Sequence, residues 1–319
     1  MNQQKLVLKF SCQDRPGIVA DVASFFSQRG FNIRESSQFE DDFSRHFFMR
    51  TEFDWVADGV IPGGTTLAET TPAGTTPVGT MPVGTMPDRV RPPPLEQLRR
   101  QFAQLADSYQ MDWALVDKNY RLKVVIAVSS WGHCLNNLLN SWRLGSLPVD
   151  VVAVISNHRE MESLVQWYQL PYHYLPVDSH NRQQQEAEIQ RLLSHYQSDL
   201  LVLARYMQIL SEGLCRSLVA KAINIHHSFL PGFKGAKPYH QAYERGVKLI
   251  GATAHYVTPD LDEGPIIEQA VERVNHNNTP AELIEKGRDI EAVVLQRAVR
   301  WHAEHRVLLN GAKTVVFSH

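Results

Sequence analysis

The sequence predicts an α/β protein of two domains, and three observations carry that expectation. The chain has 319 residues, roughly twice the ~150 residues of an average domain. Its opening segment reads strand, helix, strand, strand in its apolar pattern. From Leu122 onward, continuous apolar runs alternate with amphipathic ones, as parallel strands covered by helices require.

Residues 1–117 form the first domain. Lys5–Phe10 (KLVLKF) alternates as a strand does. A polar turn follows, and then Ile18, Val19, Val22, Phe25 and Phe26 recur at helical spacing, with Gly30 placed to end the helix. Phe31-Asn32-Ile33 opens a second strand and Phe47–Phe53 makes a third. Leu95, Leu98, Phe102, Leu105, Ala106 and Tyr109 fall on one face of a second helix, and Trp113–Val116 closes the domain as its last strand. The result is a ferredoxin-like βαββαβ unit. Residues 57–94 interrupt it. Within them, 70–87 repeat with period five (TTPAGT, TPVGT, MPVGT, MP), too rich in Pro and Gly for a helix or strand and too poor in apolar mass to pack. A surface insertion is expected, and it is tolerated because closure entropy grows only logarithmically with loop length.

Residues 118–319 form the second domain. Strands are expected at Leu122–Val128, Val149–Ile155, Tyr172–Tyr174, Leu200–Ala204, Ala222–Ile225 and Gly251–Val257. Helices are expected at Cys134–Trp142, 160–169 and 182–196. Such alternation predicts a Rossmann-like, doubly wound and mostly parallel sheet, whose ligands sit beyond the carboxyl ends of the strands.

Composition narrows the function. With 32 Lys+Arg against 34 Asp+Glu the net charge is −2, which argues against nucleic acid or an anionic membrane as the main partner. No apolar stretch approaches bilayer length, and the start, MNQQKLVLKFSCQ, has no signal-peptide pattern. Cys12, Cys134 and Cys215 are far apart and odd in number, which fits a reducing cytoplasm. His226, His227, His240 and His255 show no standard metal-ligand spacing, so no metal and no cofactor are expected. His302 and His305 are expected on the solvent face of a C-terminal helix.

Two polar clusters follow strands. The first is Asn224-Ile225-His226-His227-Ser228, leading into Leu230-Pro231-Gly232-Phe233-Lys234-Gly235. Asn224 and His226, two apart on an extended segment, project to the same side. An amide N–H can stabilise an oxyanion, and an imidazole can shuttle a proton near neutral pH. The second cluster, His255-Tyr256-Val257-Thr258-Pro259-Asp260-Leu261-Asp262-Glu263-Gly264-Pro265, packs acids into a tight loop where one carboxylate can orient a histidine or a water.

These motifs resemble the formyltransferase fold. The stretch Gly235–Ala242, with Gly251–Thr258 and His133-Cys134-Leu135, is similar to its formyltetrahydrofolate deformylase branch. Asp14-Arg15-Pro16-Gly17-Ile18-Val19 resembles an ACT domain. The resemblance implies hydrolysis of 10-formyltetrahydrofolate to formate and tetrahydrofolate, with formate supplied to purine synthesis. It implies a catalytic trio of Asn224, His226 and Asp262, with Met207, Gln208, Ile209, Leu210, Val257 and Thr258 around the folate. For the ACT region it implies a side-by-side homo-oligomer that binds small amino acids, methionine or glycine, near Asp14, Arg15, Pro16 and Gly17, with Asn32 and Ile33 opposite. Two other readings stand beside it: formyl transfer to a small amine, and a folate or amino-acid sensor without turnover. The loop Ser129-Ser130-Trp131-Gly132-His133-Cys134 favours hydrolysis, because one glycine and a bulky Trp131 make a poor phosphate nest.

Overall fold

A computed structural model describes residues 4–56, 92–230 and 238–318. The period-five repeat and the expected turn at Pro231-Gly232-Phe233-Lys234-Gly235 lie outside them. The chain divides into two compact units, Met1–Asn119 and Tyr120–His319.

The first unit runs β1 (Lys5–Gln13), α1 (Ile18–Ser27), β2 (Phe31–Asp41), β3 (His46–Trp55), α2 (Leu95–Tyr109) and β4 (Asp112–Asp117). The order β2-β3-β1-β4 leaves β2 and β4 at the edges. Each ladder is antiparallel. Gly17 turns the chain into α1 with a left-handed φ of 98°, a conformation that costs a side-chain-bearing residue strain. Ile18, Val22 and Phe26 of α1 and Leu98, Phe102 and Ala106 of α2 are buried, and they close over one face of the sheet. Phe26 stacks on Phe53 with ring centroids 4.0 Å apart. The register matters later. Lys5, Asp54 and Asn32 stand side by side at one end of the sheet, and Gln13, His46 and Asp41 at the other.

The second unit begins with β5 (Leu122–Val128), α3 (His133–Arg143), β6 (Val149–Ser156), α4 (Glu162–Trp167), β7 (Tyr172–Tyr174), α5 (Arg182–His195) and β8 (Leu200–Leu203). It continues with α6 (Glu212–Ser217), β9 (Ala222–His226), α7 (Pro238–Glu244), β10 (Leu249–Tyr256) and β11 (Ile266–Arg273). It ends with α8 (Pro280–Ala303), β12 (Val307–Asn310) and β13 (Lys313–Val316). One seven-stranded sheet has the order β11-β10-β9-β8-β5-β6-β7. The ladders from β7 to β9 are parallel, and β10 and β11 are antiparallel additions. β8 is buried along its whole length, as its continuous apolar run requires. α8 starts on a capping box, in which the Thr279 side chain accepts from the Glu282 N–H and Glu282 reaches back, with Pro280 in the first turn.

Three features depart from the expectations. β11 reads IIEQAVER, whose polar and charged residues hide the strand pattern. The β12–β13 hairpin turns on Gly311-Ala312 between the paired Asn310 and Lys313, and its four-residue strands are too short to display a period. His302 is not on an open solvent face: its Nδ1 is 2.8 Å from the Tyr256 hydroxyl. His305 lies past the end of α8 with a left-handed φ of 55°. No helix among the described residues is long and apolar enough to cross a membrane.

Candidate active site

β9 and β10 place the core of the site. Asn224 and His226 alternate on β9 and project to one side of the sheet. His255 is the direct cross-strand partner of Asn224 in the antiparallel ladder. Antiparallel partners carry their side chains on the same face, and here the Asn224 Nδ2 donates to His255 Nε2 at 3.2 Å. The other nitrogen of His255, Nδ1, donates to the Tyr256 carbonyl at 2.9 Å. A carbonyl only accepts, so the proton sits on Nδ1 and Nε2 is left as an acceptor. Burial pushes the His255 pKa down, only partly offset by that carbonyl and by Asp262, which keeps the ring neutral.

After β10 the chain doubles back. Gly264 passes under the Tyr256 carbonyl, where a Cβ would stand 1.7 Å from the oxygen. Two residues earlier Asp262 holds a left-handed φ of 58°. This turn brings Asp262 Oδ1 to 3.2 Å from His226 Nδ1 and 3.8 Å from His255 Nε2. Partial burial alone raises the Asp262 pKa, but the hydrogen bond and charge of His226 outweigh it and hold the carboxyl below its usual value. The opposite ring nitrogen of His226, Nε2, is buried and makes no hydrogen bond.

These side chains line a cavity of about 240 Å³. Its other wall is the segment after β8, where Met207, Gln208, Ile209 and Leu210 face Val257 and Thr258 of the returning loop. The structure therefore brings all nine residues of the expected catalytic and folate sets around one space. Ser129 braces the β8 side: its hydroxyl accepts from the Met207 N–H at 3.0 Å and donates to Asn157 Oδ1 at 2.7 Å.

A second layer of polar groups lies beside the cavity. Glu291, 1% exposed on α8, accepts from the Tyr239 hydroxyl at 2.7 Å and from His133 Nε2 at 2.7 Å, with Arg205 Nε at 3.4 Å. Burial opposes its charge, but His133 and Arg205 prevail and its pKa falls below the usual value. Gly287 makes room for the Tyr239 ring, because a Cβ there would meet Cζ at 2.1 Å. His133, Cys134 and Glu291 place one potential metal-ligand atom each within 4.8 Å of one another. The Cys134 thiol is pushed well up by burial, and the Glu291 oxygens already have their partners. His227, stacked on His226 with centroids 5.1 Å apart, is lowered to a pKa of about 4 by burial and by the Arg205 charge.

The family model described as formyl transferase matches residues 122–299, and the ACT domain model matches residues 6–54. A formyltetrahydrofolate deformylase from Corynebacterium sp. (strain P-1) is 42% identical over 314 residues, 98% of each chain. The enzyme of that name from Bacillus subtilis (strain 168) is 42% identical over 318 residues, covering 99% of this chain and 95% of that protein. The crystal structure of a formyltetrahydrofolate deformylase from Pseudomonas syringae pv. tomato superposes with a TM-score of 0.85 at 43% identity, covering 99% of this chain and 95% of that one. The chain belongs to the formyltetrahydrofolate deformylase family.

Sequence reasoning toward that family missed three parts of the site. The sequence shows His255 only at the head of an acidic loop, and its register opposite Asn224 emerges only once β10 is known to run antiparallel. Arg205 lines the same cavity, and no local pattern in the sequence marks it. Tyr239 and Glu291 are 52 residues apart and meet only in the fold.

The six expected effector residues do not converge within one chain. Asp14, Arg15, Pro16 and Gly17 follow the Gln13 end of β1, whereas Asn32 and Ile33 stand beside its Lys5 end. The length of β1 separates them, about 26 Å at ~3.3 Å per residue. The Arg15 guanidinium lies 4.0 Å over the Tyr109 ring and donates to the Ser108 carbonyl. Tyr109 in turn donates to Asp21 at 2.6 Å.

Proposed function

We propose that this chain hydrolyses 10-formyltetrahydrofolate to formate and tetrahydrofolate. The observation that carries the reading is the convergence of Asn224, His226 and Asp262 on one cavity. The pterin would lie between Met207, Gln208, Ile209 and Leu210 on one side and Val257 and Thr258 on the other. Water adds its oxygen to the formyl carbon, and the carbonyl becomes a tetrahedral oxyanion. Asn224 spends one amide hydrogen on His255, which leaves the second for that oxyanion. His226 is held at Nδ1 by Asp262, so its unpartnered Nε2 is the nitrogen that meets the substrate. Asp262 orients His226 and the water and takes the water's proton. The C–N10 bond then breaks as His226 Nε2 delivers a proton to N10. Formic acid loses its remaining proton to give formate.

The decisive assay is formate release from 10-formyltetrahydrofolate with no amine acceptor present. Release that falls by about 10² or more in Asp262→Asn supports the reading. No release, with turnover restored by an amine acceptor, makes the chain a transferase. A chain that binds folate and never turns over is a sensor.

For the first unit the proposal is regulatory. The exposed edge of β2 supports association into a homo-oligomer, and the turn at Asp14–Gly17 supports binding of a small amino acid, methionine or glycine. A monomer by light scattering, or activity indifferent to both amino acids, removes this part alone. A cytoplasmic location is proposed on the three cysteines, all of them buried and unpaired.

A further inference from the structure

Arg205 marks where the cavity ends. It follows β8 with a left-handed φ of 64°. Glycine takes that conformation freely, whereas a residue with a side chain is held there under strain, and such strain clusters at functional sites. The Ser129 N–H donates to the Arg205 carbonyl at 3.2 Å and fixes the bend.

The side chain is 12% exposed and forms wall beside Asn224 and His226. It offers no fork to a ligand. Nε and Nη1 are buried without a hydrogen bond, and Nε faces Glu291 at 3.4 Å. Tyr239 and His133 hold Glu291 in turn. The guanidinium charge also acts on His227, which stacks on His226. Arg205 is therefore bulk at this place. It fills the ground between the cavity and the Glu291 layer, and Glu291 offsets its charge from behind. The cavity left over is about 240 Å³, below the ~300–1,000 Å³ of an ordinary small-molecule pocket. One substrate headgroup and a water suit a space of that size, and a second organic substrate does not.

We propose that Arg205 is the specificity residue that makes water the acceptor, because its side chain occupies the ground an amine needs beside the formyl carbon. The inference deepens the hydrolytic reading above and rests on it. With the arginine removed, a primary amine could enter in place of water. Its nitrogen would bond to the formyl carbon and lose a proton, and the C–N10 bond would break as N10 gains one. The products are then an N-formylamine and tetrahydrofolate in place of formate and tetrahydrofolate.

The experiment uses glycinamide as the amine, on wild type, Arg205→Gly and Arg205→Lys. Products from 10-formyltetrahydrofolate are separated into formate and N-formylglycinamide, and glycinamide binding is followed by saturation-transfer NMR. Glycine suits the left-handed backbone, and the deleted side chain is larger than glycinamide. The expected result is wild type that makes formate alone and binds no glycinamide. Arg205→Gly should bind it and raise the ratio of formylamine to formate about tenfold or more. Propylguanidine, which reproduces the lost side chain, should displace glycinamide and return that ratio toward wild type. Arg205→Lys refills the space and should stay within about threefold of wild type. A merely structural role for Arg205 would lower both products together and leave their ratio fixed. If Arg205→Gly does not fold, Arg205→Gly/Glu291→Gln removes the facing charge as well and carries the same test.

A folded glycine variant that binds no glycinamide, or whose ratio stays within about twofold of wild type, overturns the proposal. So does wild type that already formylates glycinamide, or Arg205→Lys that formylates it as well as Arg205→Gly. Binding needs no turnover. Glycinamide held by Arg205→Gly alone and displaced by propylguanidine, with a wild type that releases no formate, retains the plug and rejects the hydrolytic reading. Formate release by wild type with no glycinamide bound to the variant does the reverse.

Discussion

Asn224 and His255 face each other across the β9–β10 ladder, and the amide of one donates to the lone pair of the other at 3.2 Å. The direction of that bond is forced. His255 gives its only proton to the Tyr256 carbonyl and is kept neutral by burial. Its Nε2 can then only accept, so the nitrogen of the Asn224 carboxamide is the end turned toward His255. His255 is thereby a positioning residue for an oxyanion donor. Asn224→Ala should lower kcat by roughly 10²–10³. His255→Phe should lower kcat by roughly 10–10², with the folate KM little changed, because it frees the carboxamide to rotate. The double variant should lose little beyond Asn224→Ala alone. Full additivity in the cycle would show that the two act separately.

Gly264 governs where Asp262 stands. The Tyr256 carbonyl occupies the place of any Cβ, at 1.7 Å, so Gly264→Ala must displace the returning loop. The expected cost is roughly 3 kcal/mol or more of stability. Because a shift of about 1 Å at a catalytic group costs ~10² in rate, kcat should fall well beyond the loss in folded protein. Chemical denaturation and single-turnover rates on the same samples separate the two effects. A variant with wild-type kcat would show that the loop does not set the carboxylate.

His227 ties stability to pH. Its folded pKa of about 4 lies below the ordinary 6.5, so as pH falls the unfolded chain takes up this proton first. Stability is complete above pH ~6.5 and declines toward pH ~4, by about 3 kcal/mol in all at ~1.4 kcal/mol per unit. His227→Gln should flatten that part of the melting temperature against pH and leave the carboxylate contribution at lower pH in place. Identical slopes for the two proteins would refute the assignment.

Tyr239 closes the Glu291 network. Tyr239→Phe keeps the ring that fits over Gly287 and removes the hydroxyl at 2.7 Å, leaving one buried carboxylate oxygen short of a donor. The expected loss is about 1–3 kcal/mol. An unaltered melting temperature would mean that the oxygen finds another donor.

Much of this was legible in the chain. Asn224 and His226 can be read because they stand two apart at the end of an apolar strand, whereas the acidic loop offers Asp260, Asp262 and Glu263 alike and only the family resemblance singles out Asp262. The helix Leu95–Tyr109 is legible to the residue, since its apolar stripe is uninterrupted. β11 is not, because its charges mask the alternation. Contacts between distant segments leave no local trace either: His133 and Glu291 are 158 residues apart, and nothing near either one announces the other. His302 shows the converse error. Its place near a helix end suggested solvent, yet Tyr256 holds it.

The strand register of the first unit has one further consequence. Asp14–Gly17 and Asn32–Ile33 lie at opposite ends of one sheet, and among the described residues β2 is an edge strand. If two chains meet edge to edge at β2 in antiparallel fashion, the twofold axis reverses one of them and brings its Asn32 toward the other's Asp14. A pocket drawing on both sets would exist only in the pair. By mass action its apparent affinity for an effector would weaken on dilution and strengthen as the chain accumulates. The response to a metabolite would then also report how much of this protein is present.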